Sequence, residues 1–333
     1  MEDLVHKPRL PRAMMAASQP LDPSIGIVVC IPCFRRPHHL RLTLESLVNQ
    51  RTPRRFAVVV VENDAAACQS AAVAAEFLAT GRLSGLCVTE PRQGNCHAIN
   101  AAFDTALATF PDAVHFLMID DDELASPDWL ELMVRAAEGT GAGVVGGPVL
   151  QKFGDDRKRG LQRHPAFRPA YDRSGPVPII YGCGNCLITR GMFERLGTPA
   201  FDLRFNFLGG GDVDFFTRCR REGTRFYWVA EAVIVETVPD NRTEPGWLAL
   251  RGLRIGAINY RVERKVARTP WLRARLLAKM LAKLPLSLVR AGGLLLREHK
   301  VMIALHPVIV AVGSALAAIG IEPQPYKASK IVS

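Results

Sequence analysis

Short apolar, β-branched runs alternate with amphipathic stretches through the first 150 residues. Residues 25–31 are followed by the polar loop Pro32-Cys33-Phe34-Arg35-Arg36-Pro37. A stretch with Leu40, Leu44, Leu47 and Val48 on one helical face comes next, which predicts strand, loop and helix. Residues 56–61 predict a second buried strand, ending on Glu62-Asn63-Asp64, and 65–80 an Ala-rich helix. A third strand near 86–89 leads to Glu90-Pro91-Arg92-Gln93-Gly94-Asn95 and a helix over 96–110. The next apolar run, Val114-His115-Phe116-Leu117-Met118-Ile119, stops on Asp120-Asp121-Asp122, and a helix follows over 128–138. This alternation predicts an α/β fold with right-handed βαβ units and a mostly parallel sheet flanked by helices.

Beyond 150 the pattern loosens into a Lys/Arg-rich, Pro-containing stretch to 178, expected to be a long loop. Gly182-Cys183-Gly184-Asn185 then precedes a strand over 186–189, and Leu208-Gly209-Gly210-Gly211-Asp212-Val213-Asp214 opens a helix reaching Arg221. The string Gly141-Ala142-Gly143-Val144-Val145-Gly146 fits G-x-G-x-x-G, but it follows a helix and enters a strand, the reverse of a dinucleotide site. It predicts a helix stop.

The chain is long enough for a full core, and nearly half its 333 residues are hydrophobic, which excludes disorder. Its net charge of +10 is concentrated: 242–300 holds 14 Lys and Arg against three acids, interleaved with Leu, Val and Trp. That mixture favours an anionic membrane surface over nucleic acid as partner. The first 24 residues lack a continuous apolar segment, so no secretory signal is expected. The eight cysteines are expected to be free thiols, because Cys30/Cys33 and Cys183/Cys186 are too far apart in sequence for a zinc ribbon.

Three acids at a strand end repel one another, and a bound cation or a dense set of donors offsets that cost. A solvated acidic turn ahead of the next helix is the plainer reading of the triplet. In parallel sheets, however, ligands bind beyond the carboxyl ends of the strands, and the polar clusters at 32–36, 62–64 and 120–122 all fall there. Beside three glycines that let backbone approach a ligand, Asp212 suits either a helix cap or a general base.

Taken in order, these motifs resemble the inverting glycosyltransferases of family 2, with a GT-A type, Rossmann-like fold, and most closely the bacterial enzymes that extend lipid-linked saccharides. The resemblance runs from Ile31-Pro32-Cys33-Phe34-Arg35-Arg36-Pro37 through Val61-Glu62-Asn63-Asp64, Gly94 to Asn100, Ile119-Asp120-Asp121-Asp122-Glu123 and Asn185 to Gly209-Gly210-Gly211-Asp212, Glu236 and Arg242. It implies a nucleotide-sugar donor, most simply a UDP-sugar, bound by Pro32, Phe34, Arg36, Glu62, Asp64, Arg92, Gly94, Asn100, Asp120, Asp121, Asn185, Gly210 and Arg242. It further implies Mg2+ or Mn2+ on Asp122 with Asp120 and Glu236, Asp212 as catalytic base, and a saccharide or polyprenyl-linked saccharide as acceptor.

Three departures stand out. Gly211 replaces a common glutamate before the base, so a helper carboxylate is either missing or supplied by Asp214; Ile99 replaces an arginine; and Cys33 replaces Thr or Ser. Nucleotidyl transfer also needs an aspartate-bound metal, but here the first loop lacks glycine; a non-catalytic membrane-bound scaffold would keep the fold alone.

The expected organisation is a tail over 1–24, a catalytic domain over 25–261 and a basic helical region over 262–333. Within the last, 271–297 predicts a basic amphipathic helix, and 301–321, with His306 as its only ionisable residue, a shallow membrane attachment or a span. The expected location is the cytoplasmic face of the cell membrane.

Overall fold

The apolar runs of the N-terminal half become strands in the computed structural model, which describes residues 12–323. The strands are β1 (Met14–Ala17), β2 (Ile27–Cys33), β3 (Ala57–Glu62), β4 (Ser84–Thr89), β5 (His115–Met118), β6 (Glu123–Ala125), β7 (Val144–Gly146), β8 (Val149–Phe153), β9 (Gly175–Val177), β10 (Cys186–Thr189), β11 (Phe226–Trp228) and β12 (Ile234–Val238). The helices are α1 (Pro37–Val48), α2 (Gln69–Ala79), α3 (Asn95–Thr109), α4 (Trp129–Thr140), α5 (Arg190–Leu196), α6 (Gly211–Arg221), α7 (Pro245–Val266), α8 (Pro270–Glu298) and α9 (Val301–Ala318). Nine strands form the main sheet in the order β1-β4-β3-β2-β5-β10-β7-β11-β9. β4, β3, β2 and β5 are parallel, whereas β10 runs against both neighbours and β1 and β9 pair antiparallel at the edges. The ends of β2, β3 and β5 therefore meet at one edge, as the polar clusters required.

Both faces of this sheet are covered, which is why its central strands are apolar at almost every position. Val28 and Cys30 lie in one core layer with Phe103 and Phe215; Val29, Ile31 and Cys33 lie in the other with Leu44 and Trp129. Cys30 and Cys33 thus occupy opposite faces of β2, an arrangement that suits core packing and not a redox pair. All eight cysteines are free thiols.

Local chemistry sets the helix ends. Pro37 opens α1 at a position that needs no N–H, and Gly141, left-handed at φ 62°, ends α4. The G-x-G-x-x-G string is accordingly a helix stop leading into β7. Helix α2 begins four residues later than its pattern suggested, because Cys68 donates to the Asp64 carbonyl (2.9 Å) and turns left-handed at φ 48°. The buried Glu62 carboxylate then accepts the N–H of Ser70 (2.8 Å) on the first turn of α2, where a negative charge interacts favourably with the helix dipole.

Two segments differ from expectation. The stretch after 150 is not one long loop: β8 joins β12 and β6 in a second, three-stranded sheet, and a 3-10 helix covers Asp156–Arg163. Helix α7 is a further element that the sequence pattern did not single out, and the expected boundary at 261/262 falls inside it. The tail is also partly structured, since β1 pairs with β4; residues 1–11 of the expected tail and 324–333 of the expected C-terminal region lie outside the described residues.

Among the described residues α9 alone is long and apolar enough to cross a membrane, with mean hydropathy 2.1. It nevertheless packs against α7 through glycines: a Cβ on Gly256 would lie 2.1 Å from the Val310 carbonyl oxygen, and one on Gly313 2.2 Å from that of Leu253. Gly256→Val should therefore cost about 1–3 kcal/mol by forcing these backbones apart. Gly139→Ala, on an α4 position with open space around it, should instead stabilise by about 0.5–1 kcal/mol. Denaturant unfolding of the two variants checks both signs.

Candidate active site at the carboxyl ends of the strands

Beyond β5 the chain turns sharply, and the acidic run is held by a set of specific contacts. The Glu123 N–H donates to the Asp120 carbonyl (3.3 Å), while the buried Glu123 carboxylate accepts the Asp120 N–H (2.8 Å). Gly184 makes room for that carboxylate, because a Cβ there would sit 2.6 Å from Glu123 Oε1. From α1, the buried Thr43 hydroxyl lies 2.8 Å from the Glu123 carbonyl and 3.1 Å from that of Asp121. Asp121 accepts the Phe34 N–H (3.0 Å) and Arg36 Nη1 (3.2 Å), and the same nitrogen reaches Asp122 (2.5 Å). The first loop and the triplet are thereby locked together. Neither Thr43 nor Glu123 is assigned a role by the sequence; Glu123 at least stands in the acidic string, whereas Thr43 carries no signal.

Arg36 only partly offsets the crowding of negative charge. Burial, then Asp122, Asp121 and Glu236, push the Asp120 carboxyl up to about 8. Burial raises Asp121 to about 6, against the opposing pull of Arg36, and burial with neighbouring acids also raises Glu123 and Glu236. Glu236, on β12 of the small sheet, is held by Arg242 at 2.6 Å. Among the described residues no three Asp, Glu, His or Cys side chains are drawn together as a ready metal cage. The donor set still fits a hard divalent cation, since Asp120, Asp122 and Glu236 interact repulsively and offer only oxygen. Closing around one would require the Arg36–Asp122 and Arg242–Glu236 pairs to open.

Asp212 shares surroundings with this cluster: the charges of Asp212 and Asp120, after burial, both push up the thiols of Cys183 and Cys186. Gly209 and Gly210 (φ 84° and 86°) make the turn into α6. A Cβ on Gly211 would press on Phe201 and Cys96, at 2.8 and 2.9 Å, so the glutamate common at this position has no room. The cap of α6 is Gly210, and Asp212 is the second residue of the helix. Burial raises the pKa of its carboxyl, against the opposing pull of nearby backbone N–H groups at Val213 and Gly182 and of Arg254. Asp214 is not the substitute helper: 2% exposed, it is paired with Arg218 (3.0 Å) and Lys265 (2.7 Å).

The remaining predicted residues divide into two sets. Pro32, Phe34, Arg36, Asp64 and Arg92 line the ends of β2 and β3 and the loop after β4; Asp64 accepts Arg35 Nε (2.6 Å), and Arg92 pairs with Glu90 (2.8 Å). The others shape the site from within. Glu62 caps α2. Asn100 exchanges two 2.8 Å bonds with the Phe201 backbone. Asn185 accepts Trp129 Nε1 (2.8 Å) and donates to the carbonyls of Pro148 and Ala232 (2.9 and 2.8 Å), so its amide is spent inside the protein. Gly94 leaves space for Asn206, and Gly210 for Ile258.

Residues 28–197 match glycosyl transferase family 2, a stretch that includes β2, the first loop and the whole acidic triplet. The chain belongs to this family. Within the family it is 34% identical over 244 residues to the succinoglycan biosynthesis protein ExoM of Rhizobium meliloti (strain 1021), covering 72% of this chain and 74% of ExoM. It is 27% identical over 232 residues to the O-antigen biosynthesis protein RfbC of Myxococcus xanthus, covering 64% of this chain and 17% of RfbC. Among solved structures, the mannosyltransferase PcManGT of Pyrobaculum calidifontis, in complex with GDP-Man and Mn2+, superposes with a TM-score of 0.58 at 20% identity over 88% of each chain. Residues 1–349 of S. aureus TarS, in complex with UDP, superpose at 0.51 with 12% identity, over 89% of this chain and 92% of that one. The α/β architecture is that of the GT-A glycosyltransferases.

The raised Asp120 pKa has a consequence for stability. The folded protein binds this proton more tightly than the unfolded chain, so the stabilisation is complete below about pH 4 and is lost as pH rises toward 8. Asp120→Asn, neutral throughout, should therefore gain about 1–3 kcal/mol over the parent between pH 5 and pH 8 in the absence of divalent cations. Urea unfolding at the two pH values measures it.

Proposed function

We propose that this chain is a metal-dependent, inverting glycosyltransferase that moves a sugar from a nucleotide-sugar, a UDP-sugar, to a saccharide or polyprenyl-linked saccharide acceptor in surface or exopolysaccharide synthesis. The observation that carries this reading is the buried carboxylate cluster at the end of β5, tied to the first loop through Arg36 and the Phe34 N–H, with Asp212 on the first turn of α6 near the same Cys183 and Cys186. The relatives add support: ExoM and RfbC are polysaccharide biosynthesis proteins by name, and PcManGT and TarS are described with GDP-Man and Mn2+, UDP or UDP-GlcNAc.

In this reading the first loop, with Phe34 and Arg36, and the strand ends at Asp64 and Arg92 hold the nucleoside. Asp122, Asp120 and Glu236 would hold Mg2+ or Mn2+, which when bound neutralises charge on the departing diphosphate. Arg36 and Arg242, released from their carboxylates, give charge-assisted hydrogen bonds to phosphate oxygens. Asp212 takes the proton of the acceptor hydroxyl as that oxygen bonds to the anomeric carbon. The bond from that carbon to the diphosphate breaks on the opposite face, so the configuration inverts. Burial raises the affinity of Asp212 for a proton, which suits a base.

The C-terminal helices support action at the cytoplasmic face of the cell membrane. Helix α8 carries apolar residues on both sides: Leu276 and Ala291 are buried, while Leu281, Leu286, Leu288, Val289 and Leu296 face outward, each more than half exposed. An apolar face of this extent, flanked by Arg273, Arg275 and Lys279, suits an anionic bilayer interface.

Two variants test the assignment. Asp212→Asn should retain nucleotide-sugar affinity while transfer falls by about 10²–10⁴-fold. Asp122→Ala should lose the Mn2+-dependent part of nucleotide binding. Calorimetric binding together with nucleoside diphosphate release separates the two effects, and near-normal turnover by Asp212→Asn would refute the base.

A further inference from the structure

Where α7 meets α8, an open cavity of about 560 Å3 is lined by six basic side chains: Arg204, Arg261, Arg264, Lys265, Arg268 and Arg273. Three are answered by acids. Arg204 pairs with Asp202 (2.6 Å), Arg261 with Glu322, and Lys265 with Asp202 and Asp214 (2.7 Å each). Arg264, Arg268 and Arg273 form no ion pair among the described residues; Arg264 and Arg273 both reach only the Ala267 carbonyl, at 3.4 Å. Three unanswered guanidinium groups in one concave space create a local excess of positive charge that attracts a multiply charged anion, and their planar forks match phosphate oxygens.

The position of the cavity narrows the choice of anion. None of its lining residues belongs to the acidic cluster or the first loop, so it is separate from the proposed donor site. Helix α8 leaves from its rim, with Trp271 73% exposed and Leu277 and Leu281 on the following turns similarly uncovered. A ligand charged at one end and apolar at the other would place its head among the arginines and its chain along this face. On the other side, Lys265 touches Asp214, two residues from Asp212.

We propose that this cavity binds the phosphate monoester or diphosphate head of a membrane lipid. The inference rests on the membrane-surface part of the function proposed above and is independent of sugar transfer. Bound there, the head fixes the depth and orientation of the chain on the bilayer, and α6 lies directly behind the site.

Sedimentation of this 333-residue chain with vesicles tests it without any sugar donor, so failure of the transfer reading leaves the result intact. Vesicles of phosphatidylcholine carrying phosphatidic acid, a phosphomonoester, should bind more tightly than vesicles carrying phosphatidylglycerol at matched surface charge. The triple variant Arg264→Gln/Arg268→Gln/Arg273→Gln should lose this preference. It should also bind phosphatidic acid vesicles about tenfold more weakly than the control Lys279→Gln/Arg290→Gln/Arg297→Gln, which removes the same charge from α8 outside the cavity. Inorganic pyrophosphate should compete with the parent protein. Equal losses in both triple variants would reduce the effect to surface charge and overturn the proposal. Pyrophosphate binding that needs the three arginines but brings no lipid preference would reassign the cavity to a soluble phosphate compound and overturn the lipid. The single variant Arg268→Glu, at an exposed position, gives the same comparison should the triple variant fold poorly.

Discussion

Repulsion among carboxylates held at the end of one buried strand is the constraint around which the site is arranged. Residues 115–119 are buried in the core, so the acids that follow must emerge at the sheet edge, and the chain supplies a specific answer to each. Arg36 spans two of them, the Phe34 N–H meets Asp121, the Asp120 N–H meets Glu123, and Thr43 ties down the turn from α1. These contacts leave Asp120 holding a proton near neutral pH. In the function proposed here, a divalent cation would displace that proton and the arginine pairs.

Much of this arrangement is legible in the order of residues. Apolar runs of β-branched residues, separated by helical periodicity, define β2, β3, β4 and β5, and the parallel rule then brings their polar ends together. The glycine string at 141–146 is recognisable as punctuation from its position after a helix. What escapes is non-local. β8 and β12 are short, their backbone partners are about 85 residues apart, and their burial patterns are mixed, so nothing local marks them as a sheet. Asn100 and Asn185 stand in motifs that suggest ligand contact, yet their amides are spent on Phe201, Trp129, Pro148 and Ala232. Residue type reports hydrogen-bonding capacity; only the fold reports where that capacity goes.

The C-terminal helices show the same division. Composition marks α8 as basic and amphipathic and α9 as apolar, but not that α9 packs backbone to backbone on α7 through Gly256 and Gly313. That packing couples the apolar surface to α7, and α7 in turn meets the glycine turn before Asp212 through Ile258 and Gly210. One continuous set of contacts thus runs from the proposed bilayer face to the proposed base.

The most direct test of the central claim is the proton count on cation binding. Titration of Mn2+ into the protein with a nucleoside diphosphate at pH 7, in buffers of different ionisation enthalpy, yields it by calorimetry. If the acidic triplet takes the cation, binding releases about one proton, because a carboxyl protonated near neutral pH must ionise to become a ligand. Mn2+ binding without proton release, or no binding at all, would contradict the account.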